Sequence, residues 1–382
     1  MANILVNGLK SKAGGGKVIL DTYLRLLVES APADHYFILT PDRDAYRHVE
    51  TDRIRLVDIP SWAHSNLATI PLYRVVLPRL LKRHRINAIL NFGDIVIPTD
   101  VPQLYNFDWA FAVYPDHMSW RRLSRAEKLL YRVKLHYFEA YLSRATIIMA
   151  QTEAMKARLE ARYRLGDVVL VPAAAAVVDE QTGETRFDLP DAPVKLVYPA
   201  NYYPHKNIEV LEEVADLLKA RGSGALLVTT LAHDEHGGAR AFLDRVAEKR
   251  LNGVLFNVGR VASADMPSLY RVSDGLLMPT LLETFGLPYV EAMHHQKPIL
   301  TSDLDFAHAV CGDAAIYFDP LDPQSIVAAI ERLFADDDLR RAVTERGRER
   351  LRAMWDWPDV FAAYQRLIGS VLRDRSSHEA LA

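Results

Sequence analysis

The chain has 382 residues, of which 49% are hydrophobic and 25% are charged, and its formal net charge is −3. This length exceeds one comfortable hydrophobic core, so we expect two domains of about 150–200 residues each. The near balance of charge argues against nucleic acid as the main partner, because phosphate binding usually requires a basic excess.

The single cysteine, Cys311, excludes an internal disulfide and a thiolate metal cluster, which fits a cytoplasmic protein. No early apolar run resembles a signal peptide, and no stretch of about 18 apolar residues could cross a bilayer. We therefore expect a soluble protein or one that is peripheral to a membrane.

Short apolar runs alternate with amphipathic stretches along the first part of the chain. Strands are predicted at 3–9, 35–40, 54–60, 86–92, 102–108 and 144–152, and helices at 18–30, 71–84 and 153–163. Residues 168–194 contain three prolines and break this alternation. They predict a connection between domains, with the linker placed at 176–194.

The alternation then resumes. Strands are predicted at 195–201, 224–230, 253–259, 275–280, 297–302 and 314–320, and helices at 207–221, 238–249, 264–272, 288–295, 323–335 and 338–353. This pattern is typical of parallel sheets covered by helices on both faces. It predicts an α/β chain of two Rossmann-like, doubly wound domains, 1–175 and 195–357, that face each other across a ligand-binding cleft.

Two glutamates, Glu283 and Glu291, flank the start of a predicted helix in "ETFGLPYVEAM". The N–H groups around Phe285, Gly286 and Leu287 would be free at that helix start and could hold an anion. A phosphate-bearing ligand could rest there, with one carboxylate near each of its ends. The alternative is an ordinary loop and helix whose acids favour the helix dipole.

Two further features could contact phosphate. Gly15 and Gly16 open the first helix after the first strand, although "SKAGGGKVIL" does not match the phosphate-loop pattern. Lys206 stands between the first strand and first helix of the second domain, where its charge could meet phosphate oxygens. The alternatives are a surface turn for the glycines and a solvated side chain for the lysine.

Together with "VGRV" and "SDGLLMPT" in 256–280, these residues resemble retaining glycosyltransferase family 4, or glycosyl transferase group 1, which has the GT-B fold. The resemblance covers nearly the whole chain and is strongest from about 195 to 335. It implies that the first domain binds the acceptor and is joined by the C-terminal helix, about 358–382. The second domain would bind the nucleotide sugar.

The resemblance also implies roles for individual residues. Gly15 and Gly16 would lie against the donor diphosphate, and Lys206 would neutralise it as it leaves. Glu283 would bind hydroxyls of the transferred sugar, and Glu291 would bind the ribose.

The backbone from Phe285 through Gly286 to Leu287 would cradle phosphate or sugar, and Arg260 and Val261 would flank the base. The implied donor is a GDP- or UDP-linked sugar, with no cofactor and no metal ion. The Asp-x-Asp pair Asp303/Asp305 is interpreted as structural.

The sequence departs from the family pattern at two places. Pro199-Ala200-Asn201 stands where many members have Gly-Arg, whose arginine assists the diphosphate, so Lys206, the helix N-terminus and Arg260 would do more. In "NFDWAFAVYP", Phe107 replaces a histidine that contacts the sugar 6-hydroxyl, and Asp108 is kept as a catalytic candidate.

The missing histidine makes a 6-deoxy sugar such as rhamnose more plausible, although Asn106 could substitute for it. Asn106 and Trp109 are the candidates on the acceptor side.

The segment 117–144 carries seven Lys or Arg residues against two glutamates, interleaved with aromatic residues. This composition fits docking to an anionic membrane. The alternative is a packed helix with a solvated basic face.

The sequence, through this resemblance, thus predicts a retaining, metal-independent hexosyltransferase in the cytoplasm, peripheral on the inner face of the cytoplasmic membrane. It would move mannose, rhamnose or a similar hexose to a lipid-linked bacterial surface glycan, either O-antigen or exopolysaccharide. Two alternatives remain: a sugar-nucleotide epimerase of the same architecture, and a catalytically silent sugar-nucleotide-binding protein.

Overall fold

The structure is a computed structural model that describes residues 1–12, 14–65, 68–174 and 187–381, with the side chains of 64 and 374–381 excepted. The predicted linker 176–194 lies outside the described residues up to position 186. The chain forms two compact units. Unit 1 comprises Met1–Pro115, Ser124–Ala173 and Asp356–Ala382, and unit 2 comprises Asp116–Leu123 and Ala174–Trp355.

Unit 1 contains a seven-stranded parallel sheet in the order β3-β2-β1-β4-β5-β6-β7. With elements numbered in chain order, its strands are β1 (Asn3–Asn7), β2 (His35–Leu39), β3 (Ile54–Leu56), β4 (Ala88–Asn91), β5 (Gln103–Asn106), β6 (Ile147–Ala150) and β7 (Val169–Leu170). Its helices are α1 (Gly14–Glu29), α2 (Thr69–Pro71), α3 (Leu77–Arg83), α5 (Arg125–Tyr141), α6 (Glu153–Tyr163) and α14 (Trp357–Leu381). The central strands β1, β4 and β5 are buried almost throughout, as expected for a parallel sheet covered on both faces.

Helix α14 begins at Trp357 and packs against α1, β4 and β5 within unit 1. The Tyr364 hydroxyl donates to Asn106 Oδ1 at 3.2 Å, and Gln365 exchanges hydrogen bonds with Tyr23 and Tyr36. The final helix of the chain therefore closes over the N-terminal sheet, because its apolar face is buried there.

Unit 2 contains a six-stranded parallel sheet in the order β10-β9-β8-β11-β12-β13. Its strands are β8 (Val194–Tyr198), β9 (Ala225–Thr229), β10 (Leu255–Asn257), β11 (Gly275–Met278), β12 (Ile299–Ser302) and β13 (Ala315–Phe318). Its helices are α4 (Ser119–Arg122), α7 (Val210–Arg221), α8 (Gly237–Glu248), α9 (Met266–Arg271), α10 (Leu287–His294), α11 (Asp305–Cys311), α12 (Pro323–Ala335) and α13 (Asp337–Ala353). In both sheets the strand order reverses beside the first strand, which is the doubly wound arrangement.

The structure confirms every strand predicted from the alternation of apolar runs, usually with shorter bounds. One prediction was wrong. Residues 168–194 were expected to contain no strand, but Val169–Leu170 pairs with β6 as the edge strand β7. A two-residue strand has no periodicity of its own, so only pairing with its neighbour identifies it. The helix predicted at 71–84 is divided into a π-helix, Leu72–Val76, followed by α3, which has Pro78 in its first turn.

Candidate donor site in unit 2

The loop after β11 brings Glu283 against Lys206. Lys206 Nζ lies 2.5 Å from Glu283 Oε1, and the two side chains are only 16% and 12% exposed. The Thr280 hydroxyl donates to the same carboxylate oxygen at 2.9 Å. This ion pair joins two residues that are 77 positions apart and was not foreseen from the sequence.

The backbone that presents Lys206 is held by unit 2 itself. The residue ends the 3-10 turn Pro204–Lys206, and its carbonyl accepts a hydrogen bond of 2.8 Å from the Tyr198 hydroxyl at the end of β8. The next residue, Asn207, has φ +56°, and its buried amide donates to the carbonyls of Pro279 and Pro320. The lysine is thus placed at the carboxyl edge of the sheet, where doubly wound domains bind ligands.

Gly286 starts the helix that follows the Glu283 turn. Its φ of +84° lies in the left-handed region, and a Cβ there would approach the Tyr289 ring to 2.6 Å, so only glycine fits. Helix α10 begins at the next residue, with Phe285 and Leu287 buried on either side. Pro288 has no N–H, and the Tyr289 N–H donates to the Gly286 carbonyl at 2.9 Å, so the N–H groups before Pro288 are the ones that an anion could use. Anion binding at this turn stays a prediction.

Glu291 lies on α10 and is held by a residue that sequence reasoning missed. The Tyr270 hydroxyl, on α9, donates to Glu291 Oε2 at 3.0 Å. Burial raises the pKa of the Glu291 carboxyl above its ordinary value, and the hydrogen bond from Tyr270 opposes that rise. The His295 ring stacks on Tyr270 at 5.1 Å, which fixes the ring that holds the carboxylate.

The other predicted donor residues lie on loops at the same edge of the sheet. Asn201 lies in the loop after β8. This loop is hydrogen-bonded to the loop after β9, because the Tyr202 N–H donates to Glu235 at 2.7 Å. Arg260 is 65% exposed and lies 4.0 Å from Glu235, and Val261 follows it. Within the described residues, no hydrogen bond or ion pair joins Asn201 or Arg260 to the Lys206–Glu283 pair.

Candidate site in unit 1

Unit 1 brings Gly16 and Asp108 together. Gly15 and Gly16 occupy the first turn of α1, four residues earlier than the helix predicted at 18–30. A Cβ on Gly16 would lie 3.9 Å from Asp108 Oδ2, beyond the end of β5. Mainly burial, and then the nearby Asp94 carboxylate, raises the pKa of Asp108 to about 7.

Two cations surround Asp94 beside Asp108. Lys134 on α5 lies 3.1 Å from Asp94, and its ammonium sits 4.1 Å above the Trp109 ring. The positive field of Lys134 lowers the pKa of Asp108 and so opposes part of the rise. Burial lowers the pKa of Lys10, while the charge of Asp94 raises it. None of this cluster except Asp108 and Trp109 was identified from sequence.

The remaining unit 1 candidates are mostly core residues. Phe107, in the place of the family histidine, is fully buried and packs on Phe138 at 5.9 Å. Asn106 is 1% exposed, and Trp109 is 7% exposed with its ring against Tyr131. These contacts give Asn106 and Trp109 packing partners, and their acceptor-side role stays a prediction.

Comparison with known proteins

The sequence match to a family lies mainly in the second half of the chain. Residues 180–350 match the family model described as glycosyl transferases group 1. This match confirms the resemblance to group 1 glycosyltransferases that the motifs predicted for this part of the chain.

Among curated proteins, the chain is 37% identical over 90 residues to O-antigen chain mannosyltransferase B of Escherichia coli, which is 24% of each chain. It is 26% identical over 131 residues to O-antigen chain mannosyltransferase RfbU of Salmonella typhimurium, covering 34% of this chain and 36% of the relative. The match thus spans between a quarter and about a third of the length of these relatives.

Solved structures match over almost the entire chain. Sucrose-phosphate synthase of Thermosynechococcus elongatus superposes with a TM-score of 0.77 at 18% identity, covering 98% of this chain and all of that one. WaaG, a glycosyltransferase involved in lipopolysaccharide biosynthesis, has a TM-score of 0.69 at 16% identity, covering 96% and 99%. At these identities the likeness concerns the fold, and it confirms the predicted GT-B architecture of two Rossmann-like units.

Proposed function

We propose that the protein is a retaining hexosyltransferase that moves a sugar from a nucleotide donor to a bacterial surface glycan. The observation that carries this proposal is the Lys206–Glu283 pair beside the start of α10, within a group 1 glycosyltransferase domain. The similarity to two O-antigen mannosyltransferases supports mannose, or a related hexose such as rhamnose, as the transferred group.

In the proposed reaction, the bond between the anomeric carbon and the diphosphate oxygen breaks, and a bond to an acceptor hydroxyl oxygen forms. The acceptor proton passes to a phosphate oxygen of the leaving group, so no enzymic nucleophile is needed. Negative charge develops on the diphosphate, where Lys206 and the N–H groups at the start of α10 stabilise it. No metal ion takes part in this scheme, so activity should survive a chelator.

The two glutamates hold the donor in place. Glu283 would accept hydrogen bonds from sugar hydroxyls, and Glu291, positioned by Tyr270, would accept them from the ribose. When the diphosphate arrives, Lys206 would shift part of its interaction from Glu283 to the phosphate. The ion pair with Glu283 holds the lysine side chain at the position where the diphosphate would arrive.

Unit 1 would bind the acceptor near Asp108. A lipid-linked acceptor would bring the protein to the inner face of the cytoplasmic membrane. Among the described residues, no helix is both long and apolar enough to cross a membrane. Attachment to a bilayer would therefore have to use a surface of the described fold or a part of the chain outside it.

Donor consumption with and without a glycan acceptor tests the proposal. GDP-mannose, dTDP-rhamnose and UDP-hexoses are incubated with the protein, and products are followed by mass spectrometry. A transferase consumes donor when acceptor is added, whereas an epimerase converts donor without acceptor and a silent binding protein leaves it unchanged.

Lys206→Ala should lower turnover by about two to three orders of magnitude, as loss of a charge at the leaving group would. Lys195→Ala is the matched control, because Lys195 lies at the opposite end of β8 and bonds the Ala192 carbonyl. A Lys206→Ala rate equal to that of the control would refute the role of the lysine.

A further inference from the structure

Helix α5 has an apolar face that the described residues leave exposed. Leu129 is 66% exposed, Leu130 is 40% exposed and Val133 is 37% exposed. The opposite face packs inward, with Phe138 buried against the strand ends and Lys134 bonded to Asp94. One side of the helix is therefore packed, as in the packed-helix alternative from the sequence, and membrane docking of its exposed side stays a prediction.

A second element in unit 1 has the same character. In the π-helix Leu72–Val76 and the following α3, the buried side is apolar while Val75 is 39% exposed. Arg74, Arg79 and Lys82 line a shallow groove with Val75. The 3-10 turn Ser61–His64 packs on α2, just before this element, and exposes Trp62 by 51%.

The two elements border one cluster of charges. Lys10 Nζ bonds Thr69 Oγ1 at 3.2 Å, where α2 begins. Asp94, which acts electrostatically on Lys10, pairs with Lys134 of α5 at 3.1 Å. Both elements therefore lie around the carboxyl edge of the unit 1 sheet, next to Asp108.

The charge of these elements is strongly one-sided. Residues 72–85 contain five Lys or Arg and no acidic residue. In the part of the chain that the structure describes, Arg74, Arg79 and Lys82 form no ion pair. On α5, the acids Glu127 and Glu139 are engaged with Ser124 and Arg162, respectively.

We propose that these two amphipathic elements form one docking surface for an anionic lipid bilayer. The docking surface consists of the apolar residues Trp62, Val75, Leu129, Leu130 and Val133 and the basic residues Arg74, Arg79, Lys82, Arg125 and Arg132. Exposed leucine and valine side chains enter the boundary between headgroups and acyl chains, tryptophan suits that interface, and basic residues attract anionic lipid. A nucleic acid would use the charges but not the aliphatic side chains.

This inference rests on the proposed function in one respect: a lipid-linked acceptor lies in a membrane, so a transferase that uses it has to bind there. The location of the surface supports this role, since both elements border the cluster beside Asp108. Vesicle binding needs neither donor nor acceptor, so the surface can be refuted while transferase activity stands, and the reverse also holds.

The test is co-sedimentation of the full chain with vesicles of phosphatidylcholine, with and without phosphatidylglycerol. Binding should require phosphatidylglycerol and weaken as salt is raised. Binding that is equal on both vesicles, or absent from both, would overturn the proposal.

Two variants test the two kinds of contact. Neutralising Arg74, Arg79 and Lys82 to glutamine should weaken binding about a hundredfold, because each basic residue near the surface contributes about fivefold. Leu129→Ser combined with Val133→Ser should weaken it about tenfold through lost apolar insertion. Full binding by either variant would contradict a single surface built from both elements.

Matched controls come from unit 2. Val272 and Leu321 are 40% and 49% exposed, so Val272→Ser with Leu321→Ser removes comparable apolar surface. Neutralising Arg341, Arg348 and Arg352 on α13 to glutamine is the control for the three-residue charge variant. These controls should bind vesicles like the wild type; an equal loss of binding would show a general charge or apolarity effect and overturn the proposal. Circular dichroism verifies that every variant is folded.

Discussion

Replacing Glu283 by glutamine perturbs a nearly buried ion pair while conserving side-chain volume. In the wild type, Lys206 Nζ lies 2.5 Å from Glu283 Oε1, and Thr280 donates to the same oxygen. In the variant, the amide can still bond Thr280, but the Lys206 ammonium loses its counterion at a position where only 16% of its side chain is exposed. The variant therefore isolates the effect of an uncompensated charge.

The expected loss in free energy of unfolding is about 2–3 kcal/mol. Removing one partner of a fully buried pair costs about 3–5 kcal/mol, because the other charge stays desolvated. The expected cost is below that range for two reasons. Both side chains are partly exposed, and the glutamine amide of the variant can still bond Thr280. For a unit of about 150–250 residues, such a loss lowers the melting temperature by about 4–12 °C.

The assay is urea unfolding of the ligand-free protein, followed by circular dichroism, in a double-mutant cycle with Lys206→Met. Lys206→Met should also destabilise, whereas the double variant should recover to within about 1 kcal/mol of the wild type, because neither charge is then buried alone. The coupling energy should be about 2 kcal/mol. Additive single effects would refute the inference that the two side chains form an energetically important pair.

Three further predictions concern residues around the two sites. Gly286→Ala should lower the free energy of unfolding by about 2–4 kcal/mol and weaken nucleotide binding, because φ is +84° and a Cβ would lie 2.6 Å from the buried Tyr289 ring. Gly253→Ala is the control, because the space around Gly253 is open, and its stability measured by calorimetry should be near that of the wild type.

Asp108→Asn should change the pH dependence of stability. The pKa of Asp108 rises from 3.8 unfolded to about 7 folded, so the wild type loses stability relative to the variant as pH rises from about 4 to 7 and no further above 7. One pKa unit corresponds to about 1.4 kcal/mol, so the stability of the variant relative to the wild type should increase by at most about 4 kcal/mol between pH 4 and pH 8. Because Asp108 is partly exposed, we expect about half of that increase. Urea unfolding of both proteins at pH 4 and pH 8 measures the difference in stability, and an equal difference at the two pH values would contradict the pKa shift. Tyr270→Phe should raise the Kd of a nucleoside diphosphate about tenfold by releasing Glu291, and isothermal titration with ribose and deoxyribose forms should show reduced discrimination.

The alternation of apolar runs and helices was enough to predict the fold class and the strands β1–β6 and β8–β13. Local sequence determines such elements because continuous apolar runs can be buried only inside a sheet covered on both faces. Gly286 and the start of α10 were also readable, since a proline after a glycine marks a helix start and each residue acts through its own backbone preferences.

The contacts that make a site from these elements depend on residues far apart in sequence. Lys206 and Glu283 meet because β8 and β11 are neighbours in the sheet, an order that no local pattern specifies. Tyr270 on α9 donates to Glu291 on α10, 21 positions further along the chain, and no local pattern predicts this contact.

Exposure, too, was decided only by tertiary packing. The sequence identified 117–144 as basic and aromatic but could not tell which face of α5 is covered, because its aromatic residues suit either a core or a membrane. The structure buries Phe138 and leaves Leu129 exposed, and it bonds α2, which directly precedes the basic stretch 72–85, to Lys10 of the same charge cluster. The sequence therefore determines which elements form, through the burial of local apolar runs and through backbone preferences. The order of the strands in each sheet and the packing of helices on it decide which side chains meet and which face the solvent.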